Sequence, residues 1–308
     1  MREKYGIKHS MPPSLEITTA VGCPLMCTFC PQKALTTNYG KQKKYLSVSD
    51  FKKVLKKIPN NTEIHFSGMT EPWTNPNCTE MLEISLKMGF KVAIYSTLYG
   101  ISLSDAKLIS NLLRKYDALI VTLCLHLPDA NNNMKGWRYS EEWEDVFKII
   151  STTNVSCGTR IMTMDGSGNI HPDIKNLTNV TEKFNGHSRA DSLDLEQIGS
   201  QKIMETPRHT SKITCASTPF YDKNVLLPNG DIVLCCMDFS YKHIIGNLLK
   251  SSYEDIFKNN EFLKIVKVNE SEGFSKCSIC KSCYNVTKIG FKSKLTKFIP
   301  KPLRQIIQ

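Results

Sequence analysis

From residue 14 to about 198 the chain alternates between short apolar runs and longer amphipathic ones, and this alternation limits the fold more than any other feature. Residues 15–21, 63–67, 91–97, 118–126 and 158–164 read as strands, with a sixth expected over 193–198. Residues 48–58, 78–88, 103–115 and 141–150 carry apolar side chains at helical spacing, with a short helix expected over 173–180. Ser47 or Ser49, and Ser102 or Ser104, suit the N-caps of two of these helices, and Gly89 suits a helix end. Repeated strand–helix units at roughly 30–45 residues imply a parallel sheet. Six units cannot close an eight-unit barrel, so the expected fold is α/β, a partial (β/α)6 TIM-like barrel with its site at the C-terminal strand ends.

The pattern changes after residue 200. Segments 223–227 and 232–236 flank Pro228, Asn229 and Gly230 as a hairpin would, 253–268 reads as one amphipathic helix, and a cysteine-rich knot follows. The expected organisation is an N-terminal extension (1–13), a barrel (14–200), a small cysteine-rich α+β domain (201–284) and a basic tail (285–308).

With 41% hydrophobic residues in 308, the chain can bury one sizeable core. No apolar stretch approaches the ~20 residues of a membrane span, and the first ten residues lack an apolar signal core, so a cytoplasmic location is expected. The net charge of +11 is concentrated: 41–57 holds seven lysines against Asp50, and 285–308 holds five lysines and Arg304 with no acid. Solvated helix faces account for such runs, as do phosphate-bearing partners. Twelve cysteines in a reducing compartment point to metal or redox chemistry rather than disulfides.

Cys23, Cys27 and Cys30 stand within eight residues just after the first strand. Thiolates suit iron–sulfur clusters and zinc, and three of them leave one metal position open for a ligand. This run resembles the radical S-adenosylmethionine (SAM) superfamily, whose signature C-x3-C-x-aromatic-C is matched by Cys23, Cys27, Phe29 and Cys30. The resemblance implies a [4Fe–4S] cluster on the three cysteines, SAM chelated to its open iron, and the backbone around Phe29 near the adenine. After the second strand, Gly68, Glu71 and Pro72 fit the family's Gly-Gly-Glu-Pro motif, with Thr70 where glycine is usual. Glu71 is then expected to face the methionine ammonium. Ser96 and Thr97, His126 and Arg160 end or occupy later strands and are further candidate contacts; Arg160 suits a carboxylate of SAM or of another side chain.

Cys215, Gly230 and Cys235 fit C-x(9–15)-G-x4-C, and Cys277, Cys280 and Cys283 follow. This region resembles the SPASM/Twitch auxiliary-cluster domains. The resemblance implies one auxiliary [4Fe–4S] cluster on Cys215, Cys235, Cys277 and Cys280, with Cys236 and Cys283 as alternative ligands. The spacing also suits a four-cysteine zinc site. Cys78, Cys124 and Cys157 stand alone and are expected to be small buried hydrophobes.

Together the resemblances imply reductive cleavage of SAM to a 5′-deoxyadenosyl radical, which takes hydrogen from a small carbohydrate-like or peptide substrate. An external electron donor such as flavodoxin or ferredoxin is implied. RNA modification ranks second, on the two basic segments. A non-catalytic iron–sulfur or zinc protein is the alternative from another class. No single catalytic residue is assigned.

Overall fold

The computed structural model describes residues 12–289, apart from 185, 188, 194–202, 205 and 219. The expected sixth strand, most of the N-terminal extension and most of the basic tail lie outside the described residues.

The strand–helix alternation becomes β1 (Ser14–Ile17), α1 (Gln32–Tyr39), α2 (Val48–Leu55), β2 (Glu63–Phe66), α3 (Cys78–Lys87), β3 (Val92–Ser96), α4 (Leu103–Lys115), β4 (Ile120–Leu127), α5 (Glu141–Ser151) and β5 (Thr159–Thr163). Each of β1 to β5 runs parallel to its neighbour. Side chains alternate across a strand. Ile17, Phe66, Ile94, Leu125 and Ile161 therefore join the helix-covered core with Phe51, Leu82, Leu113 and Phe147. Glu16, His65, Tyr95, Cys124, His126 and Arg160 have the opposite parity and share the concave face. On that face the Tyr95 ring lies 6.3 Å from His65 on one side and 6.3 Å from His126 on the other.

Helix starts follow the capping chemistry. Ser47 accepts from Asp50 N at 3.2 Å, Ser102 from Asp105 N at 3.1 Å and Ser140 from Trp143 N at 3.1 Å. Gly89, at φ +82°, follows the end of α3. The segment expected to form a short helix over 173–180 is helical only at the 3-10 turn Pro172–Ile174.

Two short strands, β6 (Gly186–His187) and β7 (Ile203–Met204), pair with each other. The rest of the C-terminal third comprises β8 (Ile213–Cys215), β9 (Lys223–Leu226), β10 (Asp231–Val233), β11 (Ile244–Asn247), α6 (Tyr253–Ile256), α7 (Asn260–Asn269) and β12 (Val286–Lys288). The hairpin is present as β9–β10. Instead of one helix over 253–268 there are two, because Asn259 restarts the backbone and caps α7 by accepting from Glu261 N at 2.8 Å. The hairpin does not form a sheet of its own. β9 runs parallel to β1, from Ser14 opposite Lys223 to Ile17 opposite Leu226, giving one eight-stranded sheet ordered β11-β10-β9-β1-β2-β3-β4-β5. β8 and β12 form a separate antiparallel pair. Among the described residues, no helix is long and apolar enough to cross a membrane.

Candidate iron–sulfur and SAM site

All five parallel strands end on the same rim, and the loops that leave it carry the chemistry. The β1–α1 loop folds tightly: Cys30 N donates to Cys27 O at 3.1 Å, and Met26 takes φ +47° and is 62% exposed at its outer edge. Phe29 lies half-buried between the last two thiols. Gln32, at the start of α1, joins two loops: its Oε1 accepts from Cys23 N at 3.3 Å, and its Nε2 donates to Met69 O. A strap between β4 and α5 braces the thiol loop from the other side. Thr28 N donates to Asn133 O at 3.0 Å and Gly136 N to Leu25 O at 2.7 Å, and Cys27 bridges to Met134. A Cβ on Gly136 would stand 1.9 Å from Pro24 O, so only glycine allows this approach.

The three thiols share one electrostatic environment. Burial pushes the Cys27 thiol well up, and the charges of Cys30 and Cys23 push it further. Burial raises Cys30 to about 11, partly offset by the positive charge of Arg189. Burial also raises Cys23, while the backbone N–H groups of Glu71 and Leu25 point at its sulfur and counter the shift. Buried thiols that repel one another as thiolates need a cationic core to ionise together, and an iron–sulfur cluster supplies one. The donor set fits such a cluster with one iron open to a ligand.

Glu71 braces the rim. Its carboxylate is 5% exposed. Oε1 accepts from Ser96 Oγ at 2.7 Å, and Oε2 accepts from Thr97 N at 2.8 Å and Thr97 Oγ1 at 2.7 Å. It ties the end of β2 to the end of β3, with Oε1 taking a single donor, Ser96 Oγ. Gly68 is held to glycine by packing: at φ +64°, a Cβ there would meet Thr18 Oγ1 at 2.6 Å. Arg160 on β5 pairs with Glu182, with Nε to Oε1 at 2.6 Å and Nη2 to Oε2, so its carboxylate partner is a side chain. His126 lies on the concave face with Nε2 3.4 Å from Cys124 Sγ, and burial, helped by the charges of Arg160 and Arg189, lowers its pKa to about 4.

A second acid near the thiols, which no sequence motif marks, is Asp129, just past β4. It is fully buried. Oδ1 accepts from Asn131 N at 3.0 Å, Asn133 N at 3.3 Å and Asn133 Nδ2 at 2.8 Å, whereas Oδ2 has no hydrogen-bond partner. Its charge reaches Cys27. A buried carboxylate oxygen without a donor is costly unless a ligand or water satisfies it.

The second set of thiols is assembled from three segments. Cys215 ends β8, Cys235 follows β10, and Cys280 and Cys283 lie on the loop before β12. Burial raises Cys235 well above the usual thiol range and Cys280 to about 12, and each feels the charge of Cys283. Cys280 and Cys283 both feel Cys215. Cys277 is exposed. Cys280 lies in the 3-10 turn Ile279–Ser282, and Cys283 is the extended residue that ends it. Cys277 precedes the turn, beyond the extended Ser278 at φ −135°. Cys236 points the opposite way from Cys235, toward Glu16 on the concave face, where burial and then the Glu16 charge push its thiol up. Among the isolated thiols, Cys78 and Cys124 are fully buried as expected; Cys157 is exposed, on the turn between α5 and β5.

Two side chains that the sequence did not flag hold the Cys280–Cys283 turn. Lys281 is fully buried and its Nζ donates to Ser211 O at 2.8 Å and Ser271 O at 2.7 Å. His243 accepts from Ile279 N at 3.2 Å through Nε2, which leaves Nδ1 to donate to Glu261 Oε1 at 2.7 Å. A lysine in a cysteine-rich loop gives no sequence signal of burial.

No curated protein matches the chain. Among solved structures, BtrN in complex with AdoMet and 2-DOIA superposes with a TM-score of 0.56 at 14% identity, covering 93% of this chain and 97% of BtrN. The anSMEcpe protein with bound AdoMet gives 0.54 at 13% identity, covering 96% of this chain and 98% of the other. A second anSMEcpe structure, with AdoMet and the Cp18Cys peptide, gives 0.51 at 14% identity over 89% and 86%. Residues 215–284 match the SPASM model, an iron–sulfur cluster-binding domain. Residues 17–173 match the radical SAM superfamily model, and with half the chain so matched, the protein belongs to the radical SAM superfamily, whose members use a [4Fe–4S] cluster and SAM.

Proposed function

We propose that Cys23, Cys27 and Cys30 hold the SAM-binding [4Fe–4S] cluster, and that the chain acts on a small polar substrate seated against the concave face of the sheet. When bound, the cluster and SAM supply a one-electron cleavage whose carbon radical takes hydrogen from an unactivated carbon. The observation that carries this reading is the position of three half-buried thiols, close enough to repel one another as thiolates, on the loop that leaves the rim after β1. Asp129 Oδ2 accepts a hydrogen bond from SAM, in place of Glu71. Glu71 keeps the β2 and β3 ends together, and the strap with buried Met134 and Trp137 excludes water from the loop.

Below the rim, Glu16, His65, Tyr95 and the neutral His126 offer donors and acceptors that orient a hydroxylated substrate. BtrN was solved with the small molecule 2-DOIA, which favours this class; a peptide is the second choice, because anSMEcpe was solved with one. Cys215, Cys235, Cys280 and Cys283 hold one auxiliary [4Fe–4S] cluster. Cys236, the residue after Cys235, faces Glu16, so this centre lies beside the concave face, where it can take an electron from substrate or help hold it. In functional terms the units remain a barrel (14–200) and an auxiliary domain (201–284), flanked by the extension and the tail. The proposed setting is the cytoplasm, with an electron donor such as flavodoxin or ferredoxin.

The test is anaerobic reconstitution with iron and sulfide, then reduction by dithionite with SAM, reading 5′-deoxyadenosine by chromatography beside Cys27→Ala. Product that disappears in the variant supports the proposal. No product from a fully loaded protein, with candidate substrates of both classes present, removes it.

A further inference from the structure

An electron has to enter the Cys23–Cys30 loop from outside, and the surface around that loop is uneven in charge. Between Glu16 and Asp50 the chain contains Lys33, Lys41, Lys43 and Lys44 and no acid. Three segments that touch the loop each present an exposed lysine. Lys33 lies on the first turn of α1, beside Gln32, which bonds Cys23 N. Lys44 lies on the segment whose carbonyl accepts from Val21 N at 2.9 Å, two residues ahead of Cys23. Lys135 lies on the strap, next to Gly136, which donates to Leu25 O. Among the described residues none of these three lysines makes an ion pair, whereas Lys43, Lys52 and Lys53 are taken up by Asp50 and Glu80. The exposed apolar groups here are Met26, 62% exposed at the loop's outer edge, and Tyr45, 42% exposed beneath Lys44 Nζ at 5.2 Å. Along the strap the acids are Asp129, which is fully buried, and Glu141 and Glu142 at the start of α5.

A protruding methionine and a tyrosine among unpaired lysines, on a loop that carries redox thiols, is the anatomy of a transient interface for an acidic protein. We infer that the face formed by Met26, Tyr45, Lys33, Lys44 and Lys135 is the docking site for an acidic one-electron carrier protein, which delivers its electron through the Met26 edge of the Cys23–Cys30 loop. The inference rests on the proposed cluster assignment and adds where its reductant binds. The step is a single electron transfer: the carrier is oxidised by one electron, the cluster is reduced by one, and no bond forms or breaks between the proteins. The rest of the 41–57 basic run has another use, since Lys57 Nζ donates to Leu248 O at 2.6 Å and Ser251 O at 3.1 Å.

The experiment uses the reconstituted full chain and reduced flavodoxin as the carrier, following cluster bleaching by anaerobic stopped flow. This signal does not depend on turnover, so a failure of the substrate reading leaves it interpretable. Combined Lys33→Glu, Lys44→Glu and Lys135→Glu is expected to slow flavodoxin-driven reduction about ten-fold or more at low salt, and to flatten its salt dependence. Reduction by dithionite should stay within about two-fold of the parent, as a small reductant needs no docking face. Lys107→Glu, on α4, should change neither rate. An unaltered flavodoxin rate in the triple variant, or an equal loss in Lys107→Glu, overturns the inference. So does a variant that keeps the flavodoxin rate and loses salt-sensitive binding to a labelled RNA, because the face then serves nucleic acid.

Discussion

The two thiol centres are built in opposite ways. The first takes all three sulfurs from one eight-residue loop, set on the rim by a strand and braced by its neighbours. The second collects four sulfurs from β8, the end of β10 and a 3-10 turn, which lie up to 68 residues apart in the chain, from Cys215 to Cys283. A local site carries its geometry in its spacing. A dispersed site carries only a set of candidates, and tertiary structure chooses among them. The proposed choice of Cys283 over Cys277 rests on the exposure of Cys277 and the nearness of Cys283 to Cys215 and Cys280, which a Cys-x2-Cys-x2-Cys spacing cannot reveal.

The largest expected effect separates the centres. Cys27→Ala should abolish 5′-deoxyadenosine formation and retain the auxiliary iron. Cys283→Ala should lose the auxiliary iron and retain SAM-dependent bleaching of the first cluster. Cys277→Ala should change neither. Iron and sulfide analysis with electron paramagnetic resonance on the three variants decides; loss of auxiliary iron in Cys277→Ala rather than Cys283→Ala would reverse the assignment.

Next in size is the SAM pocket. Asp129→Asn removes a buried acceptor charge and should weaken SAM binding about ten- to one-hundred-fold, the range of a charge-assisted hydrogen bond. Equilibrium dialysis with labelled SAM measures it, and an unchanged affinity would return the contact to another group.

Glu71→Gln tests the brace on its own. It should lower stability by roughly 1–3 kcal/mol, because the buried amide cannot accept the same three bonds. Calorimetric unfolding should show that loss, whereas Arg160→Gln, which breaks a half-exposed pair with Glu182, should cost no more than about 1 kcal/mol. Equal losses would mean that Glu71 is not the structural acid.

The smallest expected effect concerns pH. His126 has a folded-state pKa of about 4, against about 6.5 when unfolded, so the unfolded chain binds more protons between these values. Its contribution is fully present above pH 6.5, falls as pH drops and is spent below pH 4. His126→Gln should flatten that part of a denaturation-against-pH curve; an unchanged slope would assign the acid sensitivity to other groups.

Much of the barrel was legible because strand parity and helix caps are local properties. The caps at Ser47 and Ser102 and the hairpin at Pro228–Gly230 needed no distant partner to be read. The role of Glu71 was not legible, because its motif names the residue and not its donors, which arrive from β3. Asp129 was missed for the converse reason: no short motif marks it, and its importance lies in one oxygen left open after three backbone and amide donors have filled the other. The break between α6 and α7 was hidden by apolar residues that keep helical spacing across Asn259.

The pairing of β9 with β1 has a consequence for how this protein can be cut or recombined. Four residue pairs, from Ser14–Lys223 to Ile17–Leu226, bind the strand that launches the first thiol loop to the strand that leads toward Cys235. A backbone ladder of this kind acts as a ruler: the separation of the two proposed centres is fixed by strand register rather than by a hinge. A chimera that exchanges the C-terminal third must therefore carry a β9 in the same register. A truncation at residue 200 would leave β1 as a raw sheet edge, open to pairing with another chain.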